Sequence, residues 1–441
     1  MMQFTENAPP PSLYTAGGGG ASLVRPWPDF PTSAKSLQGN FNNAACMEQL
    51  LVHCACAIEA NDATLAQQIL WVLHNIAPPE GDSNQRLTSA FLRALVLRAS
   101  RSGCAALASS ITGCAAPDHP LPLCLSPLSL AGFIDLTPWH RFGFSAANSA
   151  IADAAEGFSV LHLVDLTTTH CMQLPTLIDC LASRYPDGPP FLRLTLPTSS
   201  PAPPTLDISL HELGTRLVNF ARSRNIGMEF HVVASTPSDG FDSLLRHLRA
   251  HHLAGEALVI NCHLMPHRIP DESAGSTTTA SRTSPRSAFT KALRSLEPAL
   301  VIVVDEEADF TAGDVVGRIK AAFNYMWIPF DAAETFLPAG CEQRRKYEAA
   351  VCWKIENVIA MEGVGRVERL EPKAKWVHRM RAAGFAGIGF GEEAVAEVRG
   401  MLDEHSAGWG LKRDDDDLML TWKGHDVVFA SAWVPTTSAP V

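Results

Sequence analysis

FSVLHLVDLTTTH, residues 158–170, reads as a strand running straight into a loop that holds no glycine. Phe158–Leu166 is apolar at most positions, the pattern of a strand covered on both faces. Working outward, Leu174–Ser183 has helical spacing and FLRLTL, Phe191–Leu196, is a second strand. The alternation continues with a helix at Leu210–Arg224, a strand at Met228–Ala234, a helix at Phe241–His251 and a strand at Ala257–Cys262. A helix near Phe289–Leu296 precedes the most hydrophobic strand, Ala299–Val304. Apolar strands alternating with amphipathic helices predict a parallel sheet with helices on both faces. Near the C-terminal end, Asp417–Trp422 and Val427–Trp433 flank a turn at Lys423–Asp426, which predicts an antiparallel hairpin. The fold class expected is α/β: a Rossmann-like, methyltransferase-like mixed sheet closed by that hairpin and carrying an N-terminal α-helical cap.

The cap is read from Met47 onward. Met47, Leu50, Leu51, Cys54 and Ile58 recur at helical spacing, and Leu65, Ile69, Val72, Leu73 and Ile76 do so after Asp62, a predicted N-cap. A third helix is expected over Ser83–Arg98, after the break at Pro78, Pro79 and Gly81. The apolar stripes fit core packing better than a coiled coil, because Pro78-Pro79 interrupts the heptads. Residues 1–45, with PPP at 9–11 and GGGG at 17–20, are expected to be a disordered arm. The domain boundaries expected are 1–45 for the arm, 46–135 for the cap and 136–441 for the α/β core. The Cys-, Pro- and Leu-rich stretch 104–136 offers no readable element. The Ser- and Thr-rich stretch 271–288 is expected to be a mobile loop.

The chain has 441 residues, 46% of them hydrophobic, enough for a sizeable core. No apolar run approaches the roughly 18 residues that span a bilayer, and no secretory signal is readable, so an intracellular, non-membrane protein is expected. Eleven scattered cysteines without a CxxC pair read as mostly buried small hydrophobes. Net charge is -11, from 46 acidic and 35 basic residues, so nucleic-acid contact would need a local basic patch.

A doubly wound sheet binds ligands beyond the carboxyl ends of its strands. After the first strand, residues 165–170 (DLTTTH) lack the glycines that let backbone approach a phosphate or adenosyl group. The second strand ends in Pro197, Thr198 and Ser199 instead of an acid for ribose hydroxyls. Asp305, Glu306, Glu307 and Asp309 end the most hydrophobic strand, with no base, nucleophile or metal-ligating histidine assignable beside them. Cys262, His263 and His267 offer metal-ligand types, but Pro266 breaks the helical spacing between the histidines. Asp414–Asp417 lacks the alternation of a calcium loop and is expected to be a solvated turn. His162 is expected to be a buried, hydrogen-bonded structural residue. No catalytic, cofactor or metal residue is assigned, and no enzyme is expected.

Several motifs in order resemble the plant GRAS family of transcriptional regulators over about residues 46–438. Residues 47–99 look like its first leucine-rich region, and FGFSAANSAI, Phe142–Ile151, resembles the segment leading into the first strand. Leu161, His162, Leu163, Val164 and Asp165 stand at the VHIID motif, and Leu210–Met265 fills the second leucine-rich region. VVDEEAD, Val303–Asp309, lies in the PFYRE region. GRVER supplies Arg366, Glu368 and Arg369. GWGL with Trp409, and TWKGHDVVFASAW with Trp422, Ser431, Ala432 and Trp433, match the terminal SAW motif. QQILWVLHNIAPPEGDSNQRLTSAFLRAL, Gln67–Leu95, is similar to the scarecrow-like and Short-root branch. DELLA and TVHYNP motifs are absent. The resemblance implies a nuclear regulator of plant development whose partners are other GRAS proteins, zinc-finger transcription factors of the indeterminate-domain type, and DNA, directly or through a partner. It implies that Arg366, Glu368 and Arg369 hold the core through buried polar pairs and that the tryptophans anchor the terminal hairpin. Arg344-Arg345-Lys346 is short for an import signal and reads as helix surface. The alternatives are a small-molecule-binding or methyltransferase-like enzyme on the same core, and a scaffold without nucleic-acid contact.

Overall fold

In this computed structural model the described residues are 44–101, 123–198, 203–271 and 284–436. The expected arm falls almost wholly outside them. Helices α1 (Ala44–Glu59), α2 (Ala63–Ile76) and α3 (Ser83–Arg101) follow one another through short links. Asp62 caps α2 by accepting from Leu65 N at 3.0 Å. Asp82 and Gln85 exchange side-chain bonds with each other's backbone N–H at 2.9 and 3.0 Å, a reciprocal cap that starts α3.

The stretch in which no element was readable contains β1 (Cys124–Leu125) and α4 (Pro127–Ile134). Pro127 occupies the first turn of α4, where its missing N–H costs nothing, and Ser126 caps that turn. Pro138 likewise opens α5 (Pro138–Ala154).

The core then runs β2 (Val160–Thr167), α6 (Leu174–Arg184), β3 (Phe191–Pro197), β4 (Thr205–Leu206), α7 (Leu210–Ser223), β5 (Met228–Val233), α8 (Asp242–His251), β6 (Ala257–His263), α9 (Pro285–Arg294) and β7 (Leu300–Glu306). Helix α9 starts inside the stretch expected to be a loop to residue 288, again because a proline begins a helix; residues 272–283 lie outside the described part. Long helices α10 (Val315–Phe336) and α11 (Glu342–Ala360) follow, then α12 (Lys373–Ala382), β8 (Phe385–Ile388), α13 (Glu392–Asp403), β9 (Trp409–Asp414), β10 (Asp417–Trp422) and β11 (His425–Pro435).

Among the described residues nine strands form one sheet in the order β5-β3-β2-β6-β7-β11-β10-β9, with β8 paired to β11. The first five are parallel, and β11, β10 and β9 are antiparallel. The terminal hairpin is therefore present, extended by β9 and flanked by β8. Its turn is two residues, Lys423-Gly424, both at positive φ (48° and 85°), the geometry that matches strand twist; His425 and Asp426, expected in the turn, already belong to β11.

Helices α8, α9 and α12 cover one sheet face, where Leu244, Leu248, Phe289, Leu293, Trp376 and Met380 share a core with Ile260, Val301, Val303 and Phe429. Helix α5 packs against β6, β7, β10 and β11 and against α13. Helix α10 packs on α1 and α3, and α11 on α3. Phe91 meets Phe323 edge-on at 5.5 Å. Arg86, Arg93 and Arg98 of α3 pair with Glu348, Glu356 and Glu362 in and just beyond α11. The apolar stripes of α1 to α3 are thus core. Of the cysteines, Cys54, Cys171, Cys262 and Cys352 are buried, whereas Cys56 and Cys124 are exposed.

Candidate functional site

Strand β2 leads to β3 on one side while its other neighbour, β6, leads to β7, so the topological switch point lies between β2 and β6. Here the chain's own polar side chains bond to one another across the ends of β2 and β6. Asp165, near the end of β2, accepts from Asn261 Nδ2 of β6 at 3.0 Å and from Thr167 Oγ1 at 3.1 Å. The same Asn261 amide donates to Gln173 Oε1 at 2.9 Å, Gln173 donates to Asn148 at 2.9 Å, and Asn148 to Thr176 at 3.0 Å. Asp165, Asn261, Gln173 and Asn148 are buried, whereas Thr167 is half-buried and Thr176 exposed. Burial lifts the Asp165 carboxyl to about 6, against the bonds from Asn261, Thr167 and Cys171. Without a glycine, the loop after β2 turns through His170 and Cys171 at φ 49° and 62°, a region non-glycine residues seldom enter. Cys171 buries its thiol, whose pKa rises well above the ordinary value through burial and the Asp165 charge.

A second polar cluster lies beside it, beneath α4, α5, α10 and α11. His267 Nδ1 is 2.7 Å from Asp305 Oδ1, and its Nε2 is 3.1 Å from Glu368 Oε2. Glu368 also pairs with Arg268 at 3.0 Å and Lys354 at 3.4 Å, and Lys354 bonds Glu306, which accepts from Trp139 Nε1 at 3.0 Å. Burial opposes the His267 charge, but Asp305 and Glu368 outweigh it and raise its pKa. Likewise Arg268, Lys354 and His267 overcome burial and hold Glu368 well below the carboxylate range. Three acids face three bases, so the cluster neutralises itself. The adjoining cavity, about 130 Å³ and lined by Phe133, Trp139, Met326, Tyr347, Trp353 and Lys354 among others, is small beside the several hundred Å³ of a nucleotide-sized pocket.

Of the two histidines read as possible metal ligands, His267 has both ring nitrogens engaged by carboxylates. His263 instead packs against the rings of His140 and Phe144, and Cys262 is buried in β6. Of the acidic run, Asp305 and Glu306 belong to this buried cluster, while Glu307 accepts from Lys373 N and Asp309 pairs with Lys375.

Leu161, Leu163 and Val164 are fully buried in β2, and His162 Nε2 lies 3.0 Å from Thr195 Oγ1 on β3. Arg366 donates to Phe310 O at 3.1 Å, and burial brings its pKa down to about 10. Arg369 donates to Asp271 at 2.6 Å and to Arg366 O at 2.8 Å, joining the loop after β6 to the segment after α11. Trp409 belongs to β9, not to the hairpin, and stacks at a tilt on Trp422, ring centres 4.7 Å apart. Trp422 donates to Asp331 of α10 at 2.7 Å; Trp433 donates to Ser431 Oγ at 2.9 Å, and Ser431 to Val303 O at 3.3 Å. Ala432 is buried opposite Ile302. Two surface readings change. Arg344 is buried and bonds Glu348 at 3.1 Å, so the 344–346 trio is no continuous basic surface. Asp414 and Asp417 close the β9–β10 pair and hold Lys373 at 2.6 and 3.1 Å, leaving only Asp415 and Asp416 between the strands.

Sequence reasoning missed Asn148, Gln173 and Asn261, which carry the crevice network, and Lys354 and Arg268, which balance the acids. A lone Asn in an otherwise apolar strand was the available signal at 261.

A comparison with solved structures finds the crystal structure of SCL7 in Oryza sativa, with a TM-score of 0.68 and 22% identity over 88% of this chain and 99% of that one; this supports the fold. Among curated proteins, Scarecrow-like protein 32 of Arabidopsis thaliana is 56% identical over 92% of this chain and 97% of its own length. Protein SHORT-ROOT of Arabidopsis thaliana is 33% identical over 89% of this chain and 74% of its length. The GRAS domain family matches residues 47–434. With nearly the whole described chain matched, this protein belongs to the GRAS family.

Proposed function

We propose that the chain is a nuclear transcriptional co-regulator of plant development that acts through protein contacts with DNA-bound partners, and not an enzyme. The observation that carries this reading is the self-bonded polar network at the switch point. Asp165, Asn261, Gln173 and Asn148 occupy the place where a cofactor enters such a sheet, bonded to one another. Likeness to Scarecrow-like protein 32 and to SHORT-ROOT supports a developmental regulator. The net charge of -11 favours an adapter over an autonomous DNA binder. The partners proposed are other GRAS proteins and zinc-finger factors of the indeterminate-domain type. Trp71 of α2, 69% exposed on the cap, is the kind of residue that anchors a protein interface. In this reading Leu161–Asp165, the Arg366, Glu368 and Arg369 group and the Trp409, Trp422 and Ser431–Trp433 group are frame residues that hold the cap on the sheet.

The test is fluorescence anisotropy of the chain against duplex DNA over a salt series, alone and with a zinc-finger partner. Recruitment only with the partner is expected. Tight binding by the chain alone, falling steeply with log salt, would replace the adapter with a direct reader of DNA. Calorimetric titration with S-adenosylmethionine should give no saturable heat; micromolar binding would return the methyltransferase-like alternative.

A further inference from the structure

At the opposite end of the sheet from this polar network, three side chains distant in sequence converge. His162 lies near the start of β2, His252 ends α8, and Glu256 leads into β6. His162 Nδ1 is 3.7 Å from Glu256 Oε2, and His252 Nδ1 is 3.8 Å from the same oxygen. All three atoms are buried and have no hydrogen-bond partner among the described residues. The side chains of His162 and Glu256 are 2% and 5% exposed, that of His252 22%. Buried polar atoms left unpaired in this way are costly, so three pointing at one spot call for a shared partner.

The chemistry of the donors says which. When His162 Nε2 donates to Thr195 Oγ1 across 3.0 Å, the ring's lone pair sits on Nδ1, facing the cluster; that outer bond is the usual way a ligating histidine is oriented. Burial, reinforced by the charge of Arg193, keeps the His162 ring neutral by lowering its pKa to about 4. Arg193 takes the other oxygen of Glu256 and also pairs with Glu229, so the carboxylate is aimed with Oε2 inward. Glu229 and Glu256 together outweigh Arg193 by one negative charge, which favours a cation. The groups facing the cluster are thus Thr195, Arg193, Glu229 and the half-exposed His231, 3.4 Å from Glu229.

We propose that His162, His252 and Glu256 bind a zinc ion, with water completing a tetrahedron, at the N-terminal edge of the sheet. Two imidazole nitrogens and one carboxylate oxygen are a zinc donor set. Bonds of about 2.0–2.1 Å place tetrahedral donors roughly 3.3 Å apart, so the spacings at Glu256 need to close by only a few tenths of an ångström. The ion would pin the end of α8 and the entry of β6 to β2. No spacing rule could show it, because the first ligand is ninety residues from the second.

The test uses the tag-free full chain, stripped with chelator and titrated with Co²⁺ and Zn²⁺. One Co²⁺ per chain with visible absorption of tetrahedral intensity, and a rise in Tm with Zn²⁺, are expected. H252A should keep its far-ultraviolet circular dichroism while losing that equivalent and the Tm rise. Thr195→Val should weaken binding about 10- to 100-fold by releasing the His162 ring. H252C should retain the ion and add a thiolate-to-cobalt charge-transfer band, which ties the signal to this position. Cobalt uptake identical in wild type and H252A, or no uptake in either, would overturn the proposal and leave a bridging water as the partner of these atoms.

Discussion

Asp165 and Glu362 show opposite electrostatic logic. Asp165 has its folded pKa raised to about 6 from 3.8, so its contribution to stability is complete below about 3.8 and is lost as pH rises through 6. Urea unfolding of wild type and D165N at pH 4 and pH 7 should show the variant gaining on wild type by on the order of 3 kcal/mol across that interval. No change in the difference would mean that Asp165 is not buried as described. Glu362 runs the other way: burial opposes its charge, but Arg318 and Arg98 outweigh it and bring its pKa to about 2 from 4.5. Its contribution is present above 4.5 and lost as pH falls toward 2, so E362Q should flatten the acid limb of a Tm-against-pH curve. Asp62 was legible in sequence because capping is a local event between residues three apart. Asn261 was not, because what makes it matter is Asp165 and Gln173, brought to it by strand register.

Among elements, α3 and the β9–β10 pair carry the sharpest tests. Phe91 is fully buried where α3 crosses α10, so Phe91→Ala should cost about 3–5 kcal/mol by denaturant unfolding with an unchanged m-value. Gly408, at φ 119°, leads into β9, and a Cβ there would stand 2.8 Å from the Trp422 ring. Gly408→Ala should therefore lower Tm and shift tryptophan fluorescence as the Trp409–Trp422 stack opens; retention of both would mean that the loop relaxes freely. The alternating β and α units were readable because each carries its own periodicity and they follow in order. Elements β1, α4, α5, β4, β8 and β9 were not, being short or opened by proline, so the signal within each was weaker than its tertiary contacts, and α10, α12 and α13 were not read either.

For the molecule as a whole, helices from far along the chain pack with the N-terminal helices: α10 on α1 and α3, and α11 on α3. That packing was not legible in sequence, because nothing in residues 315–360 says these helices will return to α1 and α3, hundreds of positions earlier. Removing residues 44–101 should consequently not leave a well-behaved α/β core. It would bare the faces of α10 and α11 and strand Glu348, Glu356 and Glu362, and size-exclusion chromatography should show aggregates; a monodisperse monomer would show that the cap is dispensable. Strand β11 has a different consequence. It sits in the interior of the sheet, between β7 and β10, yet it is the last in sequence of the described strands. A chain cut short before His425 would leave β7 with an unpaired hydrophobic edge, a protein open at its middle and not one with a trimmed tail. Late stop codons in this gene should accordingly be as damaging as early ones.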